Sequence, residues 1–247
     1  MASKAPYIVP ALTRHTATVI MAHGLGDRMA LAQNWRRRGM FDEVSFVFPN
    51  APLIPITVNF GTHMPGWYDI VRLGGDLATE DFYKHQDEPG ILRSRDYFNT
   101  LIATEIAKGI KPSRIVLGGF SQGGAMALFT GLTTKEKLGG IFGMSCYVPL
   151  GDRLETLMTA GEGEGGAGFV NKETPVFMAH GDADVTVRFE WGWQSVELLR
   201  GLGMGVEFHK YPDMGHTADP LEIEDLAKYL ETVVPAEDGN AQKESKA

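Results

Sequence analysis

The stretch RIVLGGFSQGG, residues 114–124, holds the spacing in this chain that most suggests chemistry. An apolar run leads straight into G-F-S-Q-G, and a helical pattern begins at once. A serine with glycine two residues away on each side, set between strand and helix, has the layout of a nucleophile elbow. Gly119 and Gly123 suit a turn so tight that a Cβ would meet neighbouring backbone. The Ser121 hydroxyl would then stand at a helix N-terminus, where the dipole favours developing negative charge. The same pentapeptide occurs in ordinary glycine-rich turns; the strand–turn–helix context is what favours the elbow.

A serine hydroxyl is a poor nucleophile until a base removes its proton, so a histidine and an orienting carboxylate must follow. For an elbow of this kind the chain order is serine, acid, histidine. After the apolar run at 175–179 comes HGDAD, with Asp182 and Asp184, and after the run at 206–211 comes PDMGHTADP, with His216. Of the seven histidines, His216 alone lies in the loop after the last expected strand, which makes it the candidate general base. The residues by themselves do not separate Asp182 from Asp184: one orients the imidazole and the other binds loop amides. His180 reads as a strand-end residue bonded to backbone.

Two backbone amides are needed to hold the oxyanion, each worth about 3 kcal/mol in the transition state. The residue after the nucleophile, Gln122, supplies one. Leu25 in VIMAHGLGD, residues 19–27, is the candidate for the other, bracketed by two glycines. His23 has no second histidine or cysteine at ligand spacing and reads as another strand-end histidine, so no metal or other cofactor is expected. Cys146 has no elbow around it and reads as a small buried side chain.

These groups need a scaffold to hold them. Short apolar runs at 18–22, 44–48, 114–117, 140–144, 175–179 and 206–211 are bounded mostly by Gly, Pro or Asn and read as buried strands. Helical patterns at 91–108, 122–132, 188–200 and 220–233 lie between or after them, the first stopped by Gly109. Strands alternating with helices predict a mostly parallel, doubly wound α/β sheet in one domain, residues 1–234. Residues 160–171, rich in glycine, read as a mobile surface loop. Residues 235–247 read as a disordered polar tail.

Composition narrows the functional classes. The 247 residues are 43% hydrophobic and 22% charged, enough to bury a large core. A net charge of -8 argues against binding nucleic acid, and Arg36-Arg37-Arg38 reads as a solvated helix end. One cysteine permits no intramolecular disulfide and suits a reducing compartment. No run approaches the roughly 18 apolar residues of a membrane span. The first residues lack a secretory pattern, and no lipidation motif is present. A soluble cytoplasmic protein without a stable membrane anchor is expected, with the nucleus as a second location.

Further motifs fall in register with these: PNAP at 49–52, W-Y-D at 67–69, LGGFSQGGAMAL at 117–128, LTTKEKLGG at 132–140 and SCYVPL at 145–150. With HGLGD at 23–27 and HGDAD at 180–184, they resemble the acyl-protein thioesterase family of cytosolic lysophospholipases and carboxylesterases. The resemblance spans residues 16–234 and implies an α/β-hydrolase fold. It also implies Ser121 as nucleophile, Asp184 as the triad acid, His216 as base, and the Leu25 and Gln122 amides as oxyanion donors. Asp182 then falls to a loop-structuring role. The chain departs from the family pattern after the acid, where Val185-Thr186-Val187 replaces a V-x-P stretch. It departs again at Tyr147, which stands where tryptophan is common, and at 160–171, which is longer than usual. Ala2 occupies the place of a lipidated cysteine found in some animal relatives.

The resemblance implies cleavage of long-chain thioesters on S-acylated proteins, with lysophospholipids and simple carboxyl esters as alternatives and a weak homodimer as the assembly. The segment 53–73 is apolar yet broken by prolines and glycines, and so reads as non-regular. It either lines an acyl channel or covers the sheet edge as core. Met64, Trp67 and Leu73 are its candidate acyl contacts, with Tyr147 a fourth. Each buried methylene adds about 0.8 kcal/mol, so a deep groove would favour long chains. The reading from a different class is a catalytically silent acyl-lipid binding module on the same scaffold.

Overall fold

The computed structural model describes residues 4–25, 35–74, 80–159 and 169–237. Its centre is a seven-stranded sheet in the order β1 (Tyr7–Val9), β3 (Val44–Phe48), β2 (Ala17–Ala22), β6 (Ile115–Phe120), β7 (Gly140–Met144), β8 (Val176–Gly181), β9 (Val206–Tyr211). Only β1 runs antiparallel, pairing Tyr7 with Phe48 at the edge. The other neighbours are parallel. Every residue of β2, β3, β7 and β8 is buried, as expected of strands covered on both faces.

Side chains alternate between two cores, one on each face. Ile20, Ala22, Leu117 and Met178 pack with α2 (Glu88–Ala107) and α3 (Gln122–Thr133). Val19, Met21, Val116 and Phe177 pack on the other side with α6 (Pro220–Val233). Further helices are α1 (Glu80–Lys84), α4 (Leu154–Thr159) and α5 (Phe189–Gly201). The chain passes from β2 outward to β3, then returns to lay β6 against the other side of β2. The loops after β2 and β6 therefore leave the sheet in diverging directions, and a crevice opens between their carboxyl ends.

The expected strands and helices form, with shifts at their ends. α2 begins at Glu88 rather than at residue 91, because the Asp87 carboxylate caps the Gly90 amide at 3.0 Å and Pro89 suits the first turn. β6 extends past residue 117 to Phe120, since Gly118 and Gly119 remain in register with Phe142 and Gly143.

Other expectations are corrected. The segment 53–73 is not wholly irregular: β4 (Leu53–Ile56) and β5 (Thr62–Pro65) form an antiparallel hairpin. Pro55 fits there because a two-stranded sheet leaves an outer edge on each strand. Arg36 is not solvated. Its guanidinium donates to the carbonyls of Phe41, Val44 and Pro10, and stands 5.5 Å from the Phe46 ring. Arg37 and Arg38 are exposed. Asn171, expected in a mobile loop, is fully buried. It accepts the Leu138 amide at 2.9 Å and donates to the Glu136 carbonyl at 2.8 Å. The start of the expected tail is anchored, with Arg114 donating to Pro235 O and the Glu237 amide to Glu43. Residues 160–168 and 238–247, and Gly26 and Asp27 of the HGLGD motif, lie outside the described residues.

Candidate active site

The β6–α3 turn carries Ser121 with φ 54° and ψ -124°, in the left-handed half of backbone space that a side chain rarely enters. Surrounding contacts enforce it. A Cβ on Gly119 would stand 2.5 Å from Ala22 O, and one on Gly123 would stand 2.3 Å from the same atom. Only glycine fits where α3 and β2 approach this closely. Ser121 N donates to Met144 O at 2.8 Å, fastening the strained residue to β7.

From β6, β8 and β9 the fold brings three distant side chains together. His216 Nε2 lies 2.9 Å from Ser121 Oγ, and His216 Nδ1 donates to Asp184 Oδ2 at 2.7 Å. The Asp184 turn is tightly built, its Oδ1 accepting the amides of Thr186 at 2.9 Å and Val187 at 3.0 Å. Burial alone would raise the Asp184 carboxyl. Hydrogen bonds from His180 and His216, the His216 charge and the Val187 amide outweigh it, and the group is held well below the usual carboxylate range. The carboxylate is thus a permanent anion beneath the imidazole.

Asp182, the other candidate, points elsewhere. Its Oδ1 accepts the Asp213 amide at 2.8 Å, and its Oδ2 lies 3.3 Å from Lys210 Nζ, so it braces the loop that delivers His216. Cys146 is buried and reaches neither Ser121 nor His216 by hydrogen bond; burial, with the nearby Glu222 charge, pushes its thiol far up, which keeps it inert.

Gln122 opens α3, where backbone amides have no partner within the helix. Its side chain has a separate task that the motifs did not announce. Gln122 Oε1 accepts the Trp67 amide at 2.8 Å, and Nε2 donates to Tyr68 O at 2.6 Å. Trp67 Nε1 then donates to His23 O at 2.8 Å. His23 accepts the Ala51 amide on Nε2 and donates from Nδ1 to Gly24 O at 2.6 Å. The residues just before Leu25 are therefore fixed to the elbow through Trp67, with Leu25 half-buried beside them. One sequence signal could have found it: the run 122–133 carries no charged residue, so a helix there is packed on most sides and an amide side chain on its first turn needs partners.

The candidate acyl contacts differ in their surroundings. Met64 lies on β5, its sulfur accepting from Asn59, and Leu73 is half exposed beyond it. Trp67 is 2% exposed and packed between His23 and Phe98, so it offers no surface to a substrate, which corrects that expectation. Tyr147 joins an aromatic cluster with Phe82 and Trp191 beside the Asp184 turn, its hydroxyl 3.3 Å from that of Tyr68. Among the described residues no group of three or more His, Cys, Asp or Glu is arranged to hold a metal. No described helix is long and apolar enough to cross a membrane.

Comparison with known proteins matches this chain to a lineage. The model of the phospholipase/carboxylesterase family matches residues 3–234. Acyl-protein thioesterase 1 of Aspergillus fumigatus is 62% identical over 236 residues, covering 95% of each chain. The protein of the same name from Emericella nidulans is 59% identical over 244 residues, covering 97% of this chain and 99% of its own. Among solved structures, acyl-protein thioesterase 2 of Zea mays superposes with TM-score 0.76 at 25% identity, covering 93% of this chain and 98% of its own. SOBER1 of Arabidopsis thaliana gives TM-score 0.76 at 27% identity, covering 89% and 99%. The chain is a hydrolase of the α/β-hydrolase fold and belongs to the phospholipase/carboxylesterase family.

Proposed function

We propose that this protein hydrolyses long-chain acyl thioesters on S-acylated proteins, with Ser121 as the acylated residue and residues 1–234 as the single catalytic domain. The observation that carries the chemistry is the hydrogen-bonded series from Ser121 through His216 to a buried, anionic Asp184. The substrate class is supported by relatives named acyl-protein thioesterase 1 that are 62% and 59% identical over nearly the whole chain. The single buried thiol suits the reducing cytoplasm.

In the first half-reaction His216 Nε2 takes the Ser121 proton as Oγ attacks the thioester carbonyl carbon. Asp184 steadies the imidazolium, and the amides of Leu25 and Gln122 receive the oxyanion. The carbon–sulfur bond breaks, the cysteine sulfur leaves with the proton from His216, and an acyl ester remains on Ser121. Water then attacks that ester, giving up its proton to His216, and the fatty acid departs as Ser121 recovers its hydrogen. A thiolate leaves more readily than an alkoxide, so a thioester needs less help from His216 as acid than an oxygen ester does. The same groups serve both, and the family's name favours lysophospholipids and carboxyl esters as the second reading.

The test is a rate comparison of wild type and Ser121→Ala on a palmitoylated peptide, a lysophospholipid and a short aryl ester. The expected outcome is the highest kcat/KM on the palmitoylated peptide and no turnover by Ser121→Ala. Wild-type turnover by Ser121→Ala would end the mechanism. A clear preference for lysophospholipid would move the substrate to the second reading. A catalytically silent lipid binder would leave Ser121 unlabelled by a fluorophosphonate.

A further inference from the structure

The reacting groups account for Ser121, His216 and Asp184, but a second imidazole also points at the acid. His180 is the next-to-last residue of β8 and is 1% exposed. Its Nε2 lies 2.8 Å from Val187 O, so that nitrogen carries the hydrogen, and the same nitrogen stands 3.4 Å from Asp184 Oδ2. Two histidines thus converge on one carboxylate oxygen, His216 at 2.7 Å and His180 on the longer branch of a forked hydrogen bond.

The fork closes a ring. Val187 gives its amide to Asp184 Oδ1 at 3.0 Å while its carbonyl accepts from His180, so one residue is held at both ends. The four residues from Asp184 to Val187 have no regular secondary structure, and Val185 at their centre is 89% exposed. The turn's own Thr186 and Val187 amides hold Oδ1, but its apex faces water, so Oδ2 keeps its direction only as well as that exposed turn keeps its shape. The rigid strand end supplies what the turn lacks. Space for the imidazole is reserved across the way: a Cβ on Gly192 in α5 would stand 2.3 Å from His180 Nδ1, and the Phe189 ring meets the imidazole edge-on.

We propose that His180 is a positioning residue for the reaction. Its Nε2–H ties the Val187 carbonyl and the Asp184 carboxylate to the end of β8, so that the acid meets His216 Nδ1 in one orientation. This rests on the reading in which Ser121, His216 and Asp184 carry out hydrolysis. His180 touches no substrate atom and no reacting atom; it acts through Asp184. A carboxylate free to rotate spends part of its time away from His216, and the imidazolium formed during attack then loses its counter-charge in the transition state alone. The loss should fall on kcat and leave KM in place.

Two variants and one spectroscopic signal test the proposal. His180→Ala removes the donor, and His180→Gln keeps an N–H at nearly the same reach. With a short aryl ester, His180→Ala should lower kcat about tenfold or more, as loss of a residue supporting a reacting group commonly does. KM should stay within about twofold. The low-field proton resonance of His216 Nδ1–H should shift upfield or broaden away in His180→Ala, and His180→Gln should restore both the resonance and most of the rate. Fluorophosphonate titration counts the folded, reactive fraction of each preparation, so rates are compared per labelled Ser121. Two results would overturn the proposal: a His180→Ala rate per labelled serine equal to wild type, or a lowered rate with the resonance unmoved and no rescue by glutamine, which would make His180 a packing residue only. Failure of wild type to label at Ser121 would instead strike at the hydrolytic reading beneath it.

Discussion

Gly24 lies directly against Ser121: a Cβ at Gly24 would stand 3.2 Å from Ser121 Cβ and 3.3 Å from Phe120 Cδ1. The loop after β2 and the turn after β6 are therefore in contact one residue before Leu25, whose amide is proposed to receive the oxyanion. Gly24→Ala asks that contact to open by a few tenths of an ångström. Misplacement of a catalytic group by about 1 Å costs on the order of 100-fold in rate, so a smaller shift should lower kcat by roughly tenfold. KM for an aryl ester should hardly change, and the melting temperature should drop only slightly. A kcat within twofold of wild type would mean that the two loops yield without moving the amide.

Gln122 has two separable parts, a backbone amide proposed to receive the oxyanion and a side chain clamping residues 67 and 68. Gln122→Met keeps the length and the amide but strands a buried donor and a buried acceptor. Each orphan costs about 1–3 kcal/mol, and each kcal/mol lowers the melting temperature by about 2–4 °C in a chain of this size. Thermal denaturation should therefore fall by several degrees at least. Because Trp67 also holds His23 O, kcat should fall with it. An unchanged melting curve would show that the clamp is replaceable.

Much of this architecture was legible because its residues repeat their job. Strands 44–48 and 140–144 appear with the bounds their apolar runs suggested, since strands buried on both faces need apolar residues at every position. That Ser121, Asp184 and His216 would come within hydrogen-bonding reach was legible because each lies just past a recognisable strand. What escaped notice has no local pattern. β1 is three residues long and only edge-paired, too short to show alternation. β4 and β5 contain Pro55 and Pro65, which ordinarily argue against a strand. Asn171 looked like the end of a glycine-rich loop, yet its side chain holds Glu136 and Leu138, more than thirty residues earlier. A polar side chain that satisfies remote backbone leaves no periodicity behind, and for the same reason Trp67 looked like an acyl contact when it is a brace.

Asp184→Asn should retain the turn's backbone bonds while removing the charge. Without an acceptor-only group on Nδ1, the imidazole loses its enforced tautomer, and a fall in kcat of about 10⁴ is expected with KM little changed. Stability follows a definite course with pH. The folded carboxyl lies below its ordinary value, so its stabilising effect is present above the unfolded pKa and is lost as pH falls through the folded one. Denaturant melts at neutral pH should show Asp184→Asn weaker than wild type, and the gap should narrow below about pH 4. A gap that stays constant down to pH 3 would mean that the native carboxylate is not specially stabilised.

Glu222 titrates in the opposite sense. It is fully buried on the first turn of α6, six residues past His216. Burial pushes its carboxyl up to about 8, with the Asp219 amide pulling back and the Asp219 charge adding to the rise. In the unfolded chain a glutamate ionises near pH 4.3 or so. Between those values the folded protein keeps a proton that the unfolded chain has already released, so stability declines as pH climbs. The contribution is whole below the unfolded pKa and gone once pH has passed about 8. Glu222→Gln removes the titration while retaining the shape. Its melting temperature should match wild type near pH 5 and exceed it by several degrees at about pH 8 to 9, a gain of a few kcal/mol. Melting curves that run parallel across that range would mean that Glu222 is already ionised inside the fold, and that some group near α6 compensates its charge.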